Sequence, residues 1–490
     1  MSLRSWSATA AAFAVLIALP LDTAAHVFAQ PYTLPVPFSV YAYAASAALL
    51  VSFLVAGLFV AAPKLGAFAR PGPPRHIVDA DSSWWTHIGR VVSVALLLLC
   101  IGTGFAGNQN VFANFNMTFF WIGFVLAVPY AVAIVGDFYA PVNPWRAIVQ
   151  LAENAAGGPF VGLVRYPQRL GYVPGLLLYM AFIWLELFGQ LLPRGLSAAL
   201  AIYTIINLVG AYVVGTKAWF EFGEFFGIFL RLMGAMSMRA RPWGHSASAG
   251  DARFAWRPPF VGLLEVPVRD LSLVLFILFM LSSTAFDGLH STLPWVSLFW
   301  KNLYPGIAPW LSDTPAMQFK LSTQIYYGWQ WLALLASPCV YLLVYAAAMV
   351  VVRRLMRAQL TVRELVLRFA TSLVPIAFVY HLTHYYTLLF SQGGQIVRLV
   401  SDPFGFGWNL FGTARQAIAP LMLDVGNIWL TQVALILAGH IVGVYLAHLE
   451  ALRLFTQPRR AAMSQLPMLL LMVAFTNLGL WILSLPIAAS

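Results

Sequence analysis

Residues 326–352 read YYGWQWLALLASPCVYLLVYAAAMVVV, 27 residues without a charged side chain, and Arg353 and Arg354 follow at once. At about 1.5 Å per residue, an α-helix of this length spans the roughly 30 Å of hydrocarbon in a bilayer. Further apolar runs long enough to span lie near residues 39–62, 91–107, 117–138, 171–192, 196–216, 271–289, 367–390, 428–449 and 465–487. The sequence therefore predicts an all-α, polytopic transmembrane helix bundle of about ten spans.

The composition of the whole chain agrees with this prediction. Of the 490 residues, 61% are hydrophobic and only 9% are charged, which excludes a string of soluble domains, a disordered chain and a nucleic-acid-binding protein. The two cysteines each lie inside an apolar run, so a disulfide scaffold and a thiolate metal cluster are both excluded. The lipid bilayer is the expected partner of the chain.

The N-terminus has the organisation of a secretory signal. Arg4 precedes an apolar stretch over about residues 8–19, and small residues continue up to Ala25. We predict a signal peptide or signal-like helix over residues 1–25 and a single integral membrane helical domain over residues 26–490. The alternative is an uncleaved first transmembrane helix. Under either interpretation, the membrane domain begins on the external side.

Basic residues predict the orientation of the bundle. When loops alternate between the two sides from an external start, the segments 63–90, 139–170, 217–270, 353–366 and 450–464 share one side, and this side carries about 22 of the 28 Lys and Arg residues. Loops rich in Lys and Arg stay in the cytoplasm. We therefore expect a multi-pass protein of a bacterial cytoplasmic (inner) membrane, with both mature termini in the periplasm.

One segment on the basic side differs from a simple loop. Residues 219–236 read WFEFGEFFGIFLRLMGAM and combine many phenylalanines with Glu221, Glu224 and Arg231. This pattern predicts a helix that lies in the cytoplasmic membrane interface. The alternative is a helix that extends the fifth span.

Few ionisable residues lie inside the predicted spans, and each is a functional candidate because a charge at a helix centre costs at least about 2.5–3.5 kcal/mol. Measured from the external end of each span, Asp287 lies within about 3 Å, Glu186 and His384 at about 9 Å, His381 at about 14 Å and His440 at about 18 Å. All five therefore lie in the outer half of the bilayer or near its middle.

These depths permit a metal site. His381 and His384 are three residues apart on one helix face, and His440 and Asp287 or Glu186 would complete a set of nitrogen and oxygen ligands. Such a set suits a divalent transition metal, and zinc, manganese, iron and copper are not distinguished by it. The alternative is that each imidazole hydrogen-bonds a neighbouring helix.

A separate candidate metal ligand lies at the N-terminus. After cleavage behind Ala25, His26 would carry both a free amine and an imidazole, a pair that chelates copper. Familiar nucleophile and phosphate-loop motifs are missing from the sequence, which argues against a serine hydrolase, a zincin protease and an ATP-driven pump.

Several strings resemble one family. They are AHVFAQPYTLPVPFSVYAYAASAALLVSF (25–53), GDFYAPVNPW (136–145), LSSTAFDGLHST (281–292), HLTHYYTLLFSQGGQ (381–395), SDPFGFGWNLFGTA (401–414) and GHIVGVYLAH (439–448). Over almost its whole length, the chain resembles the bacterial polytopic proteins called membrane-bound fenitrothion hydrolases. The resemblance implies hydrolysis of organophosphorus triesters and supplies no catalytic residues.

The residues of this chain suggest how such a reaction would run. A metal on His381, His384, His440 and Asp287 would lower the pKa of bound water toward about 7 and polarise the phosphoryl group. Glu186 or Asp287, whichever is not a ligand, would act as the catalytic general base. A lipophilic small-molecule substrate would enter sideways from the bilayer, along a lining that we predict to comprise Tyr380, Tyr385, Tyr386 and Trp184.

Two other functions fit the same residues. Polar groups near the membrane midplane are typical of a proton- or metal-coupled transporter. Paired histidines are typical of a haem or copper redox protein. The oligomeric state is not predicted.

Overall fold

A computed structural model describes residues 37–59, 84–240, 255–311, 314–416, 424–455 and 457–485. The predicted signal segment over residues 1–25 and the candidate ligand His26 lie outside these described residues.

The described chain folds as an all-α helical bundle. Its principal helices are α1 (Phe38–Phe59), α2 (Trp84–Ala106), α3 (Phe115–Val135), α4 (Pro144–Ala155), α5 (Val173–Phe188), α6 (Pro193–Val214), α7 (Thr216–Phe222), α8 (Phe225–Gly234), α9 (Leu271–His290), α10 (Pro315–Met356), α11 (Val362–Gln392), α12 (Val425–Leu454) and α13 (Leu466–Ser484). Two-residue strands, β1 (Arg239–Ala240) and β2 (Ala255–Trp256), pair antiparallel.

The predicted spans correspond to helices of the bundle. Within the described residues, nine helices are long and apolar enough to cross a membrane, namely α1, α2, α3, α6, α9, α10, α11, α12 and α13. The remaining predicted span, near residues 171–192, corresponds to helix α5, which has only 16 residues. The span predicted at 326–352 begins earlier, because α10 starts at Pro315 and runs for 42 residues. The protein is therefore a multi-pass membrane protein.

Loops meet in two groups at opposite ends of the bundle, as the alternation of spans predicts. At one end, Arg368 pairs with Glu450 across two helices, and Arg453 binds the Leu264 carbonyl. We call this the basic end. At the other end, the amide of Asn108 donates to the Phe404 carbonyl. We call this the aromatic end, and it includes residues 107–114, 291–311 and 393–411.

Helix α9 forms the centre of the bundle. Nearly every residue from Ser272 to Asp287 is buried, including polar Ser282, Ser283 and Thr284. A helix that is buried on all sides belongs to the core and not to a lipid-facing surface. It packs against α5, α10, α11 and α13, so its polar residues face other helices.

Helices α3 and α11 depart from regular α-geometry near this centre. The segment Phe119–Ala127 of α3 is a π-helix, and Ala370–Leu373 in α11 forms a 3-10 turn before the helix continues to Gln392. π-helical turns in helices are frequent at functional sites. Both irregular segments belong to helices that line the cavity described below.

The segment 219–236 differs from both sequence-based interpretations. Helix α6 ends at Gly215, whose φ of 88° favours glycine, and a second break at Gly223 and Glu224 separates α7 from α8. Phe225, Ile228 and Leu232 of α8 are buried, so α8 is neither an interfacial helix nor a continuation of the fifth span. The reason is that all sides of α8 find apolar partners on α3, α5 and α11.

Candidate functional site

The site is built around Asp287, near the aromatic end of α9. The Asp287 Oδ2 atom lies 2.7 Å from Nε2 of His384 on α11, within hydrogen-bond distance for an ion pair. The next residue, Gly288, permits close packing of α9 on α13, because a methyl group at that position would lie only 2.8 Å from the Ile482 side chain. Asp287 and His384, which the sequence places in the outer half of the bilayer, are therefore in direct contact.

Tyr385 adds a second donor to the same carboxylate. Its hydroxyl donates to Asp287 Oδ2 at 2.7 Å. The hydroxyl has one hydrogen, and Asp287 receives it, so this carboxylate has donors from both His384 and Tyr385. Glu186 of α5 lines the same cavity as Asp287 and Tyr385 and therefore lies beside the network.

A cavity of about 30 Å³ lies on the Glu186 side of this network. It is lined by Phe124, Val125, Pro129, Tyr179, Phe182, Ile183, Glu186, Leu187, Phe225, Phe226, Phe229, Leu230, Ser283, Thr284, Asp287, His381 and Tyr385. One water needs about 10–15 Å³ of such space, so the cavity has room for about two water-sized groups. Its wall is mostly apolar, with polar groups concentrated near Glu186 and Asp287.

A second cavity, of about 10 Å³, lies closer to the basic end. It shares Tyr179, Phe229 and His381 with the first cavity and is otherwise lined by residues such as Met233 and Met280. The two cavities are thus stacked along the bundle. Phe229, Tyr179 and His381 form the constriction between them.

His381 is positioned by Tyr130 of α3. The Tyr130 hydroxyl lies 3.4 Å from His381 Nδ1 and 3.5 Å from the His381 carbonyl oxygen, which makes both contacts long and weak. The His381 ring also lies near Phe229 and Tyr385. Consequently, His381 and His384 share the neighbourhood that their three-residue spacing predicts, but only His384 contacts Asp287 directly.

His440, the third predicted imidazole ligand, lies elsewhere. Its Nδ1 atom is 2.9 Å from the Ile436 carbonyl of its own helix, and its ring packs edge-on against Tyr380. Within the described residues, no group of three or more His, Cys, Asp or Glu side chains is arranged to hold a metal ion. The structure thus brings Asp287, His384 and His381 together without His440, and the metal stays a prediction.

The predicted substrate-lining residues are also divided. Tyr385 lines the first cavity. The Tyr380 hydroxyl donates to the Phe475 carbonyl at 2.5 Å, and the Tyr386 hydroxyl is 3.3 Å from the Ile428 carbonyl, so both face α12 and α13. Trp184 packs edge-on against Trp331.

Neither α8 nor Tyr130 is predicted from the sequence to belong to the site. Helix α8 supplies Phe225, Phe226 and Phe229 to the cavity wall. A signal for it exists in the sequence, because Glu224 caps the helix by accepting from the Phe226 and Gly227 amides. A carboxylate that follows a glycine and precedes an apolar run is consistent with the start of a separate helix.

Glu224 itself has a structural explanation. Its carboxylate also accepts from the Tyr203 hydroxyl at 2.8 Å and from Asn143 Nδ2 at 2.9 Å, and the residue is 0% exposed. Four donors therefore satisfy this buried acid. It anchors the start of α8 and has no place in the site around Asp287.

Comparisons with known proteins add no assignment. Neither a protein-family model, nor a curated protein, nor a solved structure matches this chain.

Proposed function

We propose that the chain is a proton-coupled membrane carrier and that its coupling site is the network His384, Asp287, Tyr385 and Glu186. The observation that carries the proposal is the continuity of this network. About a quarter of the His384 side chain (26%) is exposed, its Nε2 atom contacts Asp287, and Asp287 and its donor Tyr385 line the same cavity as Glu186. Ionisable groups inside a membrane are expensive, and chains of Asp, Glu and His are typical of proton relays.

The short contacts in the network suit proton transfer. Asp287 receives both of its donors at 2.7 Å, so a proton gained at His384 is within reach of the carboxylate and of the Tyr385 hydroxyl. Glu186 then exchanges a proton with a bound molecule or with water in the cavity. A binding event at the cavity is thereby linked to the protonation of a group near the surface.

Helix α8 supports the same function. A helix that starts inside a bundle is tolerated only where this end is buried in protein or lines a cavity, and interrupted helices form substrate sites in secondary carriers. The N-terminal residues of α8 line the cavity through Phe225 and Phe226, and its later residues pass toward the basic end. If the basic end is cytoplasmic, as the charge distribution predicts, protons enter from the outside.

The test is charge movement in reconstituted protein. Proteoliposomes on a solid-supported membrane receive a rapid acid jump, and we expect a transient current from protonation of the network even without substrate. Glu186→Gln and Asp287→Asn should each remove most of this current. Glu265→Gln, a carboxylate change in the pair with Arg257 away from the cavity, should keep it. Wild-type currents equal to those of empty liposomes would refute the proposal.

The second candidate is hydrolysis of organophosphorus triesters, and the geometry of His384 favours it. An imidazole that is oriented by a carboxylate, as His384 is by Asp287, is the arrangement of a general base. The cavity, at about 30 Å³, is too small for an aryl triester, so substrate would reach His384 from its exposed side. Metal assistance would require ligands other than the four predicted ones acting together.

Release of nitrophenolate from a lipophilic aryl phosphotriester tests this second candidate, and elemental analysis of the same purified sample tests the metal. Hydrolysis that His384→Ala abolishes and that His440→Leu leaves intact would support it. Absence of hydrolysis in protein that still produces acid-jump currents would exclude it.

A further inference from the structure

We propose that the substrate of the coupling site is a small ammonium-type cation, such as ammonium or methylammonium, held in the cavity between Glu186 and a cage of aromatic rings. This inference rests on the proposed carrier function and names the class of molecule that is coupled to the proton. Three features of the cavity carry it: its size, its charge and its aromatic wall.

Size limits the substrate first. A cavity of about 30 Å³ accepts about two water-sized groups, which matches ammonium or methylammonium. Sugars, amino acids and aryl esters are all larger than this space. The cavity as it stands therefore selects among very small molecules.

Charge selects a cation. Asp287 is compensated by its ion pair with His384, whereas Glu186 has, among the described residues, no ion pair with a Lys or Arg side chain. No Lys or Arg occurs among the described residues that line the cavity. Burial favours the neutral form of an uncompensated carboxyl group, so Glu186 carries its charge when a monovalent cation in the cavity replaces its proton.

The aromatic wall adds affinity for the ammonium type. Six aromatic rings line the cavity together with Glu186, namely those of Phe124, Tyr179, Phe182, Phe225, Phe226 and Phe229. Aromatic faces attract ammonium groups through the negative potential of the ring, and cages of such rings recognise alkylammonium ligands. A neutral molecule would gain little from the Glu186 carboxylate, and an anion would be repelled by it.

Coupling follows from the shared carboxylate. Glu186 lines the cavity together with Asp287 and Tyr385 of the proton network, so the same carboxyl group is available to a proton and to a cation in the cavity. When Glu186 binds a proton, it loses the charge that holds the cation, so the two ligands compete for one group. Competition of a proton and a cation for one carboxylate is the property expected of an exchanger of protons for small ammonium cations.

The experiment measures uptake of labelled methylammonium into proteoliposomes that are acidic inside. Liposomes without protein measure the passive leak, which is subtracted. We expect saturable uptake in the wild type, loss of the saturable part with Glu186→Gln, and unchanged uptake with Glu265→Gln. Phe182→Leu and Phe229→Leu should each raise the half-saturation concentration about fivefold, because each removes a ring face. Phe182→Tyr keeps the ring and should stay within about twofold of the wild type.

Further outcomes separate the two proposals. Saturable uptake that is insensitive to both leucine variants would overturn the aromatic cage. Acid-jump currents without any methylammonium uptake would refute the cation class and leave the carrier proposal standing. Absence of both the acid-jump current and the methylammonium uptake in folded wild-type protein would refute the carrier proposal. If Phe229→Leu fails to fold, the comparison of Phe182→Leu with Phe182→Tyr still tests the aromatic cage.

Discussion

Replacing Tyr385 with Phe removes one hydroxyl from the centre of the network and should destabilise the protein by about 1.5–3 kcal/mol. This range applies to hydrogen bonds with a charged partner, and the Tyr385 hydroxyl lies 2.7 Å from the Asp287 carboxylate. Ordinary hydrogen bonds between membrane helices average only about 0.6 kcal/mol, so the carboxylate makes the difference. Asp287 keeps its His384 donor in the variant, which limits the loss.

Tyr130→Phe is the matched control. Its hydroxyl faces the same region from α3, but its contacts with His381 are 3.4 and 3.5 Å long and involve no carboxylate. We expect this variant to cost less than about 0.6 kcal/mol. Both changes remove a single oxygen from a tyrosine and leave the ring in place, so their difference isolates the carboxylate contact.

The assay is reversible unfolding in mixed micelles with increasing SDS, followed by tryptophan fluorescence, with far-UV circular dichroism to show that both variants start from the same helical content. The free energies are compared at the wild-type midpoint to avoid long extrapolation. Equal losses for the two variants, or a larger loss for Tyr130→Phe, would refute the claim that the Asp287 contact holds α9 and α11 together. An unchanged stability of Tyr385→Phe would refute it as well.

Three further predictions test the packing and the site. Gly479→Ala should lower the free energy of unfolding by about 1–3 kcal/mol in thermal unfolding, because the new methyl group would overlap the buried Tyr380 ring. Gly102→Ala has open space around it and should leave the free energy of unfolding unchanged or raise it by up to about 1 kcal/mol. Glu224→Ala should cost at least about 3 kcal/mol, because it leaves several buried donors without an acceptor; a loss below about 1 kcal/mol in the same assay would contradict that role. His440→Leu should leave any copurified metal bound in elemental analysis, since the His440 ring packs against Tyr380 and away from Asp287, and metal loss in this variant would show that the arrangement is wrong.

The site was partly predictable from residue type and depth. The cost of charge in hydrocarbon singles out Glu186, Asp287, His381, His384 and His440, and the structure joins the first four around one network and cavity. Depth along a span does not report how a helix is rotated about its axis. Tyr380 precedes His381 by one residue, so it points to a different side of α11 and holds His440 apart from the other two histidines.

Helix α8 shows another limit of the sequence. Its composition of phenylalanine with few charges is typical both of an interfacial helix and of a buried one, because periodicity measures only the helix itself. Burial followed from the partners of α8 on α3, α5 and α11, which lie far from it in the chain. Because the sequence does not show these partners, it does not distinguish a buried location for α8 from one in the membrane interface.

The sequence by itself determined that this chain is a helical bundle with many spans, because apolar length and the sparse charges between spans are local properties of each segment. It also determined which ionisable groups share a depth. Only the tertiary structure decided that Tyr385 binds Asp287 beside Glu186, that His440 lies apart, and that α8 lines the cavity. Those outcomes depend on the rotation and packing of helices that are distant in sequence, and packing is a property of the whole bundle.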